Sequence, residues 1–271
     1  MMFRYEYPLF EKKKVLRIEM LEQLRDYPKN YLTLFYSGYG EGILCGCEIT
    51  WEKEKLTIHP GIINHGGNLY FMEDIYTVDC PANGKVRYVK VKFLKEIIES
   101  GKIIGNAEII FDEIIPDSSS EMELCRFRLQ DGSRLRYRQE NFHDHSTEYD
   151  TVNLLYTPYA SRGKSTLHPA VLMAYAKETI GSGAVNVYDV SFAMKVLAND
   201  GIVSANCIRE YIDARLEGIK PYYGEKQTAS GIPLFDGYEM YQGLLKVLEK
   251  QERQNREITA VTTERKGVML M

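Results

Sequence analysis

The sequence predicts an α+β protein, with a β-rich N-terminal domain folded as an antiparallel sandwich or partly open barrel and a small helical C-terminal domain after it. Between Gly38 and Arg138, β-branched and aromatic residues are interrupted by Gly, Pro, Asn and Asp at a spacing of about 8 to 12 residues, the rhythm of short strands joined by turns. From Tyr149 onward the apolar residues recur at helical intervals instead. The chain has 271 residues, 44% hydrophobic and 27% charged, which suits one large or two ordinary globular domains. Domains at 1–150 and 151–271 are expected, joined by a linker at about 149–166.

The first helix is placed at residues 12–27, with Leu16, Met20, Leu21 and Leu24 on one side and Glu19, Glu22, Gln23 and Asp26 on the other. Pro28 is expected to end it, because proline has no N–H and its ring clashes with the carbonyl four residues back. Strands are expected at 31–36, 42–51, 55–58, 61–63, 69–80, 85–93, 107–114, 122–130 and 134–138. The run Ile114-Ile115-Pro116-Asp117-Ser118-Ser119-Ser120-Glu121 reads as an exposed loop. Four helices then follow at 167–178, 187–198, 204–216 and 236–255. Pro169 fits the first turn of one, Asn199-Asp200-Gly201 stops the next, Gly218 follows the third, and Asp236 caps the last after a Gly/Pro-containing loop.

Composition narrows the function classes. A net charge of −4 argues against a surface that neutralises many phosphates, so nucleic acid is not an expected partner. No apolar run approaches the roughly 20 residues that cross a bilayer, and the N-terminus lacks a signal-peptide core. The expectation is a chain made in the bacterial cytoplasm with no membrane insertion. Five scattered cysteines do not form a disulfide framework, and Cys45 and Cys47 are expected on one face of one strand. Twenty tyrosines against one tryptophan suit protein interfaces.

Candidate chemistry is thin, and neither a catalytic residue nor a cofactor is expected. Gly163-Lys164-Ser165 mimics the end of a phosphate-binding loop, but Pro158 stands where that loop needs a glycine. His143 and His145 flank Asp144, and on an extended chain the two imidazoles would share a face and offer two ligands to a divalent ion, with further ligands unlocated. Glu73-Asp74 and Asp112-Glu113 are adjacent pairs that strand geometry points to opposite faces, which makes them poor catalytic couples. Arg126, Arg128, Arg134, Arg136 and Arg138 alternate with Phe127, Leu129, Leu135 and Tyr137, the pattern of a sheet with one polar and one buried face.

The sequence Gly42-x-Leu44-x-Gly46-x-Glu48-Ile49, then Leu56-Thr57-Ile58-x-Pro60-Gly61, then Gly66-Gly67-Asn68-Leu69-Tyr70 resembles an N-terminal module of bacteriophage tail-fibre and baseplate proteins. The run from Glu123 to Gly132 resembles a strand that returns later in such proteins, and the resemblance spans residues 38–135. It implies a non-enzymatic component of a phage tail or phage-tail-like particle, located in the virion or particle once assembled. The implied partners are other tail or baseplate subunits and sister copies in a homo-oligomer. Tyr70, Arg126, Arg128, Arg136 and Arg138 are the residues expected at assembly interfaces. A carbohydrate-binding or carbohydrate-cleaving β-sandwich is the alternative, since exposed tyrosines suit sugars.

Overall fold

The computed structural model describes residues 5–13, 15–183, 186–216 and 236–268. The Gly/Pro-containing loop expected before the last helix, Gly218 included, lies outside them. Antiparallel sheets fill the N-terminal half and helices the C-terminal part, so the α+β class holds. Among the described residues the sheets stay open and close no barrel.

Helix α1, Ile18–Tyr36, departs from expectation by running straight through Pro28 and taking in the residues expected as strand 31–36. Proline inside a helix forfeits one hydrogen bond at a cost of about 3 kcal/mol, and the apolar residues Tyr31, Leu32, Leu34 and Phe35 continue a helical stripe rather than an alternating one. No residue of α1 is buried.

The expected strand 42–51 is two strands, β1 (Gly42–Gly46) and β2 (Ile49–Glu52). Gly46 and Cys47 sit at φ 68° and 57°, and two successive left-handed residues turn the chain out of line. Cys45 therefore ends exposed and Cys47 buried, which corrects the shared face expected for them. Gly46 is also paired directly with Gly61 in the ladder to β4 (Gly61–His65). A Cβ on Gly46 would run into the Pro60 carbonyl and one on Gly61 into Cys47, so only two glycines permit that approach.

Strand β3 (Lys55–Ile58) pairs with β2 and with β6 (Tyr76–Asp79), while β5 (Asn68–Met72) pairs with β4. The expected strand 69–80 is thus split between two sheets. β7 (Val86–Phe93) lies at the centre of a third sheet, and after it a hairpin of β8 (Ile97–Glu99) and β9 (Lys102–Ile104) turns at Ser100-Gly101, φ 49° and 76°. β10 (Ala107–Asp112) and β11 (Glu121–Arg128) flank β7 on either side. Residues 134–138 form no strand, only an isolated bridge between Arg136 and Thr151.

Two apolar cores result. One gathers Ile43, Ile63, Leu56, Ile58, Val89, Leu124 and Phe127 from the three three-stranded sheets. The other gathers side chains of α2 (Pro169–Gly181), α3 (Val187–Ala198), α4 (Ala205–Arg215) and α5 (Gly237–Val268), among them Tyr175, Phe192, Ile208 and Tyr241. The segment expected as a linker is the seam between them. Val152, Leu154 and Tyr159 enter the sheet core, whereas Leu155 and Leu167 enter the helical core. Its backbone is tied down by Asn153 N–H to the Arg126 carbonyl at 2.8 Å, Ala160 N–H to Ile43 at 2.8 Å and Thr166 N–H to Tyr159 at 2.8 Å. Polar side chains of the segment are packed against backbone: the Thr157 hydroxyl donates to the Leu124 carbonyl at 2.8 Å and that of Thr166 to Val203 at 2.5 Å.

Candidate assembly surfaces

Tyr70 projects from β5 into a trough of about 910 Å³ between the β1-β4-β5 sheet and the β10-β7-β11 sheet. Ile63, Met72, Val91, Ile109 and Leu124 form its apolar floor and wall, and Asn68, Asp74, Glu96 and Asn106 give it a polar rim. Tyr70 is half-buried, meets Phe93 edge-on at 5.1 Å between ring centroids, and has its hydroxyl pushed above its ordinary pKa by burial. A Cβ at Gly105 would lie 3.3 Å from that hydroxyl, so the glycine lets β9 and its following turn close over the ring. Beside it the His65 ring stacks on Phe93 at 3.6 Å, and its Nδ1 is 2.9 Å from Glu41 Oε2. The hydrogen bond from His65 holds the Glu41 carboxyl below its usual range.

A second surface is the apolar side of α1. Leu24, Tyr27, Tyr31, Leu34 and Phe35 lie on one side of that helix and are exposed. Sequence reasoning stopped the helix at Pro28 and so missed its C-terminal half. The signal was present in the four-three spacing that continues past the proline. A third apolar surface, Val187, Val190 and Met194 on α3, is also exposed and follows the same spacing.

The arginines do not form the free basic stripe that their alternation suggested. Arg126 pairs bidentately with buried Glu123, at 2.7 Å for each bond, and its guanidinium lies 3.5 Å from the Tyr156 ring centroid. Burial raises the Glu123 pKa against the opposing pull of that guanidinium. Arg128 donates to the Gly84 carbonyl at 2.7 Å and to the Tyr149 hydroxyl at 3.2 Å. Arg136 clamps Asp144 at 2.6 and 3.1 Å, and Arg138 is exposed with its guanidinium 5.9 Å from the Tyr137 ring. Three of the four expected interface arginines thus have partners inside the chain.

His143 and His145 are likewise separated, because residues His143–Ser146 form a 3-10 turn rather than extended chain. His145 is buried and its pKa is pushed down to about 4 by desolvation. His143 is exposed and faces Glu178 of α2 and Glu252 of α5, with ligand atoms of the three within 4.8 Å of one another. Those carboxylates have protein partners: Glu178 accepts from the Phe142 N–H at 3.0 Å and sits 3.8 Å from His143, while Glu252 lies 3.4 Å from Arg256. The group is arranged as an open, three-ligand site and as an ion-pair cluster alike. The loop that mimics a phosphate site turns its groups inward, the Gly163 N–H to Gly38 at 2.7 Å and the Ser165 hydroxyl to Glu41 at 2.6 Å.

By class this is an α+β chain of open antiparallel sheets joined to a helical body, with its conspicuous exposed features being apolar surfaces. No family model and no curated protein matches it. Similar solved structures include the following. A crystal structure of TssK aligns with 90% of this chain and 69% of its own, at 8% identity and a TM-score of 0.39. A cryo-electron microscopy structure of the type VI secretion system TssK-TssF-TssG baseplate subcomplex aligns over 91% of this chain and 100% of its own, at 9% identity and a TM-score of 0.34. No helix among the described residues is long and apolar enough to cross a membrane.

Proposed function

We propose that this chain is a non-catalytic structural subunit of a phage-tail-like baseplate, acting by protein–protein assembly. The observation that carries this reading is the exposure of ordered apolar surface on α1, where Leu24, Tyr27, Tyr31 and Leu34 are 57%, 66%, 59% and 75% exposed along one side of a helix with no buried residue. Contiguous apolar surface of that kind marks an interaction site, since leaving it in water has a free-energy cost that a partner removes. The particle class comes from the resemblance of residues 38–135 to tail and baseplate modules; the structural likeness, with TM-scores of 0.39 and 0.34, carries no weight in it. Tagged protein isolated from its native cell is expected to bring down other baseplate subunits and to label tail-like particles in negative-stain images. Isolation free of any particle or subunit overturns the reading.

The trough favours a second reading, as a sugar site. Tyr70 offers an aromatic face beside the amides of Asn68 and Asn106, a combination that suits a pyranose ring. Glycan-array binding that persists without particle association would support it.

A further inference from the structure

Met20, Leu24, Tyr27, Tyr31 and Leu34 follow one another at alternating intervals of four and three residues, the repeat that keeps side chains along one seam of a helix. Leu21 and Phe35 widen the seam on one side, while Glu19, Glu22, Asp26 and Thr33 occupy the opposite side. A 19-residue helix with an internal proline has little stability of its own, because most helical stability comes from packing an amphipathic face. Yet α1 buries none of its residues within the chain. It is fastened at its C-terminal end, where Phe35 and Tyr36 meet Tyr39 at 6.3 and 5.2 Å between ring centroids, and Tyr39 bridges to Arg162.

The chain's own trough does not cover the seam. Lys29 is the α1 residue that reaches the trough, and it belongs to the polar side, so the seam looks away. We propose that α1 packs against α1 of a second copy of this chain, seam to seam. A seam with a strict four-three repeat is complementary to itself, since each side chain enters the gap between those of an identical helix. The area suffices: at roughly 100 Å² for each of six exposed side chains, pairing removes roughly 600 Å² per copy, in the range of a specific contact of about 1,200 Å² in total. The inference rests on the assembly reading only for what the contact serves.

Light scattering on the full chain after size exclusion, over a wide micromolar range, tests it. The intact chain is expected to run at twice 31.3 kDa or a higher multiple. A Leu24→Asp/Tyr31→Asp double variant is expected to run at the mass of one chain, with a melting temperature that no longer rises with protein concentration and its near-ultraviolet circular dichroism retained, because neither side chain is buried within a single chain. Glu22→Lys, on the polar side, is expected to leave the mass of the assembly unchanged. A photocrosslinking residue at position 31 of the otherwise native chain is expected to give adducts joining α1 to α1. A monomeric intact chain, a double variant that keeps the native mass, or adducts elsewhere overturns the pairing. A monomer that still enters a tail-like particle overturns the pairing alone, and a paired chain found with no particle overturns the baseplate reading alone.

Discussion

Asp189 shows how much of the helical body depends on single polar groups. Its Oδ1 accepts from Arg215 at 2.6 Å and from the Tyr211 hydroxyl at 2.9 Å; the Tyr211 and Tyr175 hydroxyls are 2.7 Å apart, and Gln251 donates to both at 3.2 Å. These side chains come from α2, α3, α4 and α5, so one buried network fixes how all four helices meet. Asp189→Ala would leave the Arg215 guanidinium, 5% exposed, without its carboxylate. The expected loss is about 3 to 5 kcal/mol, read as a lower urea midpoint, with Asp189→Asn losing less because it keeps an acceptor. A midpoint unchanged by Asp189→Ala contradicts this account. Lys90 is a parallel case in the sheet body: burial opposes its charge, yet hydrogen bonds to Glu121 and Asp112 at 3.0 and 3.2 Å hold its pKa above the ordinary lysine value. None of these partnerships shows in sequence pattern. Arg126 looked like one of a row of exposed cations because alternation reports which face a residue is on, not whether Glu123 and Tyr156 are waiting there.

Among the elements, α2 begins on an unusual cap. Pro169 takes the first helical position as the sequence suggested, but the cap is the ring of His168, whose Nδ1 accepts from the Ala170 N–H at 3.2 Å. Accepting there requires the neutral imidazole. Burial, with a smaller contribution from nearby His145, pushes the His168 pKa down to about 4, and His145 in the 3-10 turn is also held at about 4 by burial. The unfolded chain takes up these protons near the ordinary value of 6.5, whereas the folded chain resists until about 4. Stability from these groups is therefore fully present above pH 6.5 and declines as pH falls toward 4. For His145 the full effect is on the order of 3 kcal/mol. Urea midpoints are expected to drop between neutral and mildly acidic pH, and His168→Asn, which retains a capping oxygen, is expected to flatten that drop. An equal drop in the variant argues against His168.

Elements with strong local punctuation were legible. Strand β3 and helix α3 fall on the expected residues, because Pro60-Gly61 follows one and Asn199-Asp200-Gly201 ends the other. The β8–β9 hairpin lies outside the expected strands, although Ser100-Gly101 between isoleucine-rich runs signals its turn. Pro28 signals a stop because its local cost is definite, while the exposed helical stripe beyond it is visible only over a longer window. The trough could not be read at all, since its walls come from separate sheets and no local pattern encodes their meeting.

At the scale of the whole molecule, the sheet and helical cores are joined by the packed segment 151–167 and not by a free tether. Phe142 adds to the join: it packs in the helical core, and its N–H and carbonyl bond to Glu178 at 3.0 Å and to the Tyr241 hydroxyl at 3.3 Å. The two bodies are expected to unfold together. Far-ultraviolet and near-ultraviolet circular dichroism should give one coincident transition, and Leu155→Ala, which opens a cavity on the helical side, should shift both signals equally. Two separated transitions would show that the seam transmits little.

Neighbours Leu154 and Leu155 point into different cores, which makes the seam sensitive to its length. The chain changes core at a turn closed by the Thr157 N–H on the Leu154 carbonyl at 3.2 Å, so an insertion between the two leucines would draw one of them out of its interior.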